Sequence, residues 1–308
     1  MKVGVPRALL YHQYGECWTS FLDRLGVEAV VSEATSGTTI VRGAVYADNE
    51  ACLPVKVFAG HLLELKGSAD SILVPRVISQ HPGMKACPKY LGLPDMARAL
   101  DPDLPPVISP CMDLSDRRRR WTGEWYQVAR DLGASNMAAN AAVNTLIGQL
   151  PARASRKGPG ESGGIRVGVA GHMYNVHDQG VSLGLVERIE AMGADVLTVE
   201  QVPQRFVRRE LKTLPRKIKW EFESRIVGAA MHWSRTRSVS GIIYVSSFAC
   251  GPGSMIGALL DDQFEREESV PLMTLILDEH SAEGGLVTRI EAFMDMLRHV
   301  LSARARQS

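Results

Sequence analysis

Residues 2–31 read KVGVPRALLYHQYGECWTSFLDRLGVEAVV, and this stretch decides the fold. KVGV is a short β-like run that ends at Pro6, where a ladder N–H is lost. Tyr11 to Leu25 then reads as a helix, closed by Gly26. VEAVVSE follows as a second strand. A strand, a helix and a strand in this order form the unit of a parallel sheet. Within the helix, Cys17 beside Trp18 reads as a small apolar packing residue.

The same alternation continues outward. Asp70–Ile78 and Pro106–Pro110 read as further strands, with helical patterns at Ile40–Tyr46, Cys52–Leu65 and Lys89–Leu100. Residues 116–149 are Ala-rich and helical. PARASRKGPGESGG (151–164) has the Pro, Gly and Ser content of a linker. IRVGVAG (165–171) then opens a second α/β pattern with a strand of the same (K/R)VGV form as the first. Its further elements are a helix at Leu183–Met192, the strand ADVLTVE and the buried strand GIIYVSS (241–247). A helix at Ser254–Glu268, the strand PLMTLILD (271–278) and a long amphipathic helix at Glu283–Ala305 complete it. Residues 203–240 are Arg- and Lys-rich and read as solvated helices. The expected organisation is an N-terminal α/β lobe over 1–115, a helical bridge and linker over 116–164, and a C-terminal α/β lobe over 165–308. The expected fold class is α/β, with two Rossmann-like lobes of mostly parallel sheet and bridging helices.

Length agrees with that reading. A chain of 308 residues is too long for one ordinary core and suits two domains of roughly 120–150 residues. A net charge of +1 gives no global case for nucleic acid or an anionic membrane. The dense run Arg117–Arg120 reads as a solvated face. No signal peptide and no spanning apolar run is read, so a cytoplasmic protein is expected. In that setting the odd number of cysteines, five, argues against structural disulfides.

Loops beyond the carboxyl ends of parallel strands carry function. Cys52, in DNEACLPVK (48–56), opens a helix, and a helix start favours a thiolate. Cys87 follows a strand and a loop in the string CPK. Cys250 follows GIIYVSS in FACGPGS, and Cys111 ends PVISPC. Glycine next to sulfur lets backbone N–H groups approach it, as around iron–sulfur clusters. The spacing has no CxxC, so packing, nucleophile and metal ligand all stay open for Cys52.

The strings VGVPRALLYHQYG, DNEACLPVKVFAGHLLEL, ILVPRVIS, ACPKYLGLPDM, VGVAGHMYN, SSFACGPGSM and LDEHSAEGGLVTRIEAFMDML narrow this. Together they resemble the D-component family of 2-hydroxyacyl-CoA dehydratases, in its acyl-CoA dehydratase activase-related branch. The resemblance implies a [4Fe–4S] cluster in a cleft between the lobes, held by Cys52, Cys87 and Cys250. It leaves Cys111 as either a fourth ligand or a bystander. It further implies reduction by a separate ATP-dependent [4Fe–4S] activase and transfer of low-potential electrons to a small acyl-CoA-type substrate. The other reading on the same strings is an electron-transfer or scaffold subunit without a substrate site. A double-cubane cluster would need more thiolates than three. Pairing of dehydratase subunits suggests a homodimer or heterodimer.

Neither VGVAGHMYN nor GPGSMIG is a phosphate-binding loop, so ATP is expected on the partner. His172 and Tyr174 in GHMYNVHD, and Glu279 and His280 in LDEHS, are candidate proton-handling residues after strand ends. A solvated loop and a helix cap by Ser281 are their bland alternatives.

Overall fold

A computed structural model describes residues 1–150, 164–266 and 270–305. It forms two compact units, Met1–Ala152 with Lys219–Glu221, and Arg153–Ile218 with Phe222–Ser308. Every strand pairing among the described residues is parallel. No helix among them is long and apolar enough to cross a membrane.

The first unit opens with β1 (Lys2–Val5), α1 (Tyr11–Arg24) and β2 (Glu28–Val31), as residues 2–31 predict. Then come α2 (Gly37–Tyr46), α3 (Leu53–Glu64), β3 (Ser71–Leu73), β4 (Arg76–Ser79) and α4 (Pro88–Leu100). The unit continues with β5 (Val107–Ile108), β6 (Cys111–Asp113), α5 (Thr122–Asp131) and α6 (Asn136–Gln149). The sheet runs β2-β1-β3-β5, and β4 pairs with β6. The expected strand Asp70–Ile78 is thus two strands, split at Pro75. The expected strand Pro106–Pro110 is split from β6 in the same way at Pro110. Neither proline has an N–H to donate, so the ladder is interrupted at each and resumes beyond it.

Val3, Val5, Ile72 and Leu73 form the sheet's buried centre. On α1, Tyr14, Cys17, Phe21 and Leu22 are buried, and the Phe21 ring meets Trp125 of α5 edge-on at 5.0 Å. The two helices expected to bridge, α5 and α6, belong to this first unit. The linker expected over 151–164 lies outside the described residues, Gly164 apart.

α2 and α3 touch backbone to backbone. A β-carbon on Gly43 would lie 1.8 Å from the Lys56 carbonyl oxygen, and one on Gly60 would lie 2.1 Å from that of Thr39. Only glycine permits this approach.

The second unit runs β7 (Arg166–Gly171), α7 (Met173–Val176), α8 (Gln179–Ser182), α9 (Leu185–Ala191), β8 (Asp195–Thr198) and α10 (Gln204–Leu211). It ends with α11 (Glu221–Thr236), β9 (Gly241–Ser247), α12 (Gly251–Arg266), β10 (Leu272–Leu277) and α13 (Glu283–Ala305). Its sheet order is β10-β9-β7-β8. β9 is buried along its whole length. Trp233, Tyr244, Ile226, Val227 and Val207 lie in the core of this unit. The reading of 203–240 as solvated helices is therefore corrected for α11. Ile226, Val227, Ala230 and Trp233 are each at most 2% exposed. On α13, Leu286, Ile290, Phe293, Met294 and Leu297 are buried, as their spacing predicts.

Candidate functional site

In the first unit, Cys52 and Cys87 occupy the same structural position. Each is the N-cap residue of a helix, α3 and α4, and neither thiol makes the usual capping bond. Pro54 and Pro88 stand in the first turns, where a missing N–H does no harm. The turn before Cys52 is built by Asp48, whose carboxylate accepts the Glu50 N–H at 2.8 Å. The loop before Cys87 is braced from both sides. Ser79 Oγ lies 2.8 and 2.7 Å from the carbonyl oxygens of His81 and Met84. Lys85 N–H donates to the Lys219 carbonyl at 2.9 Å, and His81 Nε2 lies 2.9 Å from Glu221 Oε1.

Lys89, in the first turn of α4, acts electrostatically on the Cys52 thiol, and so does Lys56. This relates the two cysteine-bearing helix starts. The pull of the helix start toward a thiolate at Cys52 is opposed by burial. Burial pushes the thiol up, against the pull of Lys89, the Val55 N–H and Lys56.

Cys111 has different company. It starts β6 opposite Arg76, which is itself ion-paired with Asp95 at 2.9 Å. Its N–H donates to Glu124 Oε2 at 2.8 Å, and its thiol is pushed up to about 11 by burial and then by that carboxylate. A carboxylate neighbour opposes an anionic ligand group there. A cavity of about 490 Å³ alongside is lined by Ile108, Pro110, Glu124, Val128 and Asp131, so its charge is also negative. Cys17 is 1% exposed and donates its S–H to the Gln149 carbonyl, in keeping with a packing role.

In the second unit the chain leaves β7 first for β8 on one side and later for β9 on the other. The loops after β7 and β9 flank the point where the order reverses, the usual ligand position in such sheets. Cys250 lies in the β9 loop. Ser254 N–H donates to its carbonyl at 2.9 Å, so it too is a helix N-cap, and here Gly253 N–H donates to Sγ at 3.3 Å. The helix begins at Gly251 rather than at the expected Ser254, which is what puts Cys250 at the cap. Ala249 just before it has φ of 60°, a conformation that a side chain disfavours.

The β7 loop carries His172 and Tyr174, their rings stacked at 5.0 Å. His172 Nε2 lies 3.2 Å from Glu223 Oε1. Ser247 at the end of β9 donates to Asn175 at 2.8 Å, tying the two loops together. Asp178 caps α8 by accepting the N–H groups of Gly180 and Val181.

Glu279 and His280 lie in the loop that follows β10. They form a turn between β10 and α13, in which the Asp278 carboxylate accepts the His280 N–H and the Ser281 hydroxyl, both at 2.9 Å. His280 is exposed. Leu286 N–H donates to the Ala282 carbonyl, so Ala282, not Ser281, is the cap of α13. Among the described residues of this unit, His172–Glu223, His177–Glu200 and His232–Glu210 are imidazole–carboxylate pairs, and the first is the most buried. Sequence reading missed Glu223, although the signal was there. Residues 223, 226, 227 and 230 share one helical face, and the other three are apolar. Among the described residues, no group of three or more His, Cys, Asp and Glu side chains is placed to hold a metal ion.

Parallel α/β units with cysteines at helix starts define the class, and the family follows from comparison. Residues 2–202 match the CoA enzyme activase uncharacterised domain (DUF2229), and the chain belongs to this family. No curated protein matches. Among solved structures, the SBP FpvC from Pseudomonas aeruginosa in complex with Mn2+ aligns at 12% identity and a TM-score of 0.28. That alignment covers 98% of this chain and 99% of the other. The RcsC C-terminus of E. coli, a linker region and phosphoreceiver domain, aligns at 11% identity and a TM-score of 0.24. It covers 100% of this chain and 95% of the other.

Proposed function

We propose that the chain is an iron–sulfur protein in which Cys52, Cys87 and Cys250 ligate one [4Fe–4S] cluster. The observation that carries this is the shared position of the three sulfurs, each on the N-cap residue of a helix. Helix N-termini present partial positive charge and unpaired N–H groups, which stabilise an anionic thiolate-bound group. The Gly253 N–H directed at the Cys250 sulfur is the type of bond that sets cluster potential. Lys89 and Lys56 add positive charge at Cys52. The donor set is therefore chemically suited to such a cluster, and Cys111 beside Glu124 is left outside it.

A bound cluster would supply one-electron transfer at low potential. The chain's own residues would hold the sulfurs, with Cys52 half-buried. His172, with Glu223, is the candidate for moving a proton at the second unit's loops; Tyr174 packs against its ring. Glu279 and His280, in the turn between β10 and α13, are further candidates. Membership of a CoA enzyme activase family supports a working partner in CoA-enzyme chemistry. We read that partner as an ATP-dependent activase that supplies the electron, with a small acyl-CoA-type compound as the acceptor. The alternative, an electron-transfer subunit serving a separate CoA enzyme, is favoured by the same family description.

Anaerobic reconstitution with iron and sulfide tests this. About four irons per chain and broad absorbance near 400 nm are expected. A colourless chain that retains no iron would sink the reading.

A further inference from the structure

Residues 205–217 carry six basic side chains, Arg205, Arg208, Arg209, Lys212, Arg216 and Lys217, against one acid, Glu210. The whole chain has a net charge of only +1, so the remainder is net negative. All six are exposed. Glu210 neutralises none of them, because it is 3% exposed and lies 2.6 Å from Arg235 and 3.6 Å from His232, both on α11. Among the described residues none of the six makes a salt bridge; Arg205 lies over the Phe206 ring at 4.6 Å, which leaves its charge in place. Arg208, Arg209 and Lys212 stand three, four and seven residues after Arg205, so the four share one face of α10. Val207 and Glu210 are buried on the other face. Like charges at this spacing repel, so the helix itself gains nothing from them. The helix dipole favours Arg208 and Arg209 in the last turn, but it disfavours Arg205 in the first and does not reach Arg216 and Lys217.

The start of α10 is tied to the loops already described. Arg225 donates to Gln204 Oε1 at 2.7 Å and to the carbonyls of Glu200 and Val202 at 3.0 and 3.1 Å. Arg225 lies two residues beyond Glu223, the partner of His172. His177, on the segment after β7, lies 3.6 Å from Glu200. The cationic face thus begins at the carboxyl end of this unit's sheet, the end that carries Cys250.

We infer that this face of α10, continued by Arg216 and Lys217, docks an acidic surface of a partner protein, and that a partner held there delivers its electron at the loops after β7 and β9. Spread along roughly 10 Å of helix and the chain beyond it, the charges match an extended acidic surface better than a single phosphate group. A long polyanion such as a nucleic acid would also meet the negative remainder of the chain. Delivery of an electron rests on the cluster reading; the docking itself does not.

In the metal-free chain, binding of a fluorescent polyglutamate peptide of about twenty residues is followed by anisotropy. It should weaken about fivefold or more between about 50 and 200 mM salt. Arg208→Glu with Arg209→Glu should weaken it about tenfold and flatten the salt dependence. Arg117→Glu with Arg118→Glu makes the same change in net charge at exposed residues of the first unit, and should leave binding unchanged. Equal losses in the two double variants, or no peptide binding at all, overturn the inference. If charge reversal unfolds α10, Arg208→Gln with Arg209→Gln should still weaken binding about threefold, and unchanged binding there overturns the inference too. A DNA duplex of about twenty base pairs, or a phosphatidylserine–phosphatidylcholine vesicle, bound more tightly than the peptide overturns it in favour of another class of partner. A chain that binds the peptide at this face but retains no iron refutes the electron and keeps the docking surface. Iron retention with peptide binding unchanged in the α10 variant refutes the surface and keeps the cluster.

Discussion

His172 and Glu223 face each other at 3.2 Å with each side chain only 3% exposed. A buried imidazole and carboxylate at this distance compensate each other for hydration lost on burial. Glu223→Ala should therefore destabilise the chain by about 2–4 kcal/mol. Glu223→Gln, which keeps a hydrogen-bonding partner, should cost about half as much. Urea unfolding with an unchanged slope checks this, and equal effects of the two variants would count against a charge-assisted pair.

The cysteines separate by role. Replacing Cys52, Cys87 or Cys250 by Ala should each abolish retention of iron after reconstitution. Cys111→Ala should keep both the iron and its spectrum, because that thiol faces Glu124. Loss of iron in Cys111→Ala would place it in the ligand set.

Stability should fall on the alkaline side. The Cys17 thiol is pushed from 9.0 up to about 11, first by burial. The folded state thus holds this proton more tightly than the unfolded chain does. Its contribution is complete below about pH 9 and is lost as pH rises towards 11. Tyr14, raised first by burial, extends the loss to higher pH. Urea midpoints measured across this range should decline, and Cys17→Ser should flatten the first part of the decline. A parallel decline in both chains rules Cys17 out as its source.

The α2–α3 contact is steric. Gly60→Ala should cost about 2–4 kcal/mol, since a new methyl meets the Thr39 backbone. Gly37→Ala, at a position with open space, should change little. Thermal unfolding of the two variants side by side decides this, and similar melting temperatures refute the steric account.

Much of the fold is legible in the order of strands and helices. The apolar periods of 11–25 and 283–305 mark α1 and α13, and the (K/R)VGV strings mark the first strand of each sheet. The strand breaks were written as Pro75 and Pro110, but a proline within an extended run can end a strand or merely interrupt it. The helix start at Cys250 was obscured because Gly251, Pro252 and Gly253 have low helix propensity. Here they form a first turn, where proline is tolerated and close approach to sulfur needs glycine. Glu223 was hidden by the many Arg and Lys residues around it, although its helical neighbours are apolar. In the DEHS string, Asp278 folds the backbone around itself by accepting the His280 N–H and the Ser281 hydroxyl, which residue order does not announce.

The glycine contact between α2 and α3 has a consequence for how the chain can vary. Where side chains separate two helices, drift in their sizes lets one helix slide, and whatever sits at its end slides with it. At Gly43 and Gly60 the main chains meet with nothing between them. α3 therefore has a hard stop, and the sulfur of Cys52 at its start is located by peptide geometry. Substitutions on the outer faces of these helices can accumulate without moving that atom.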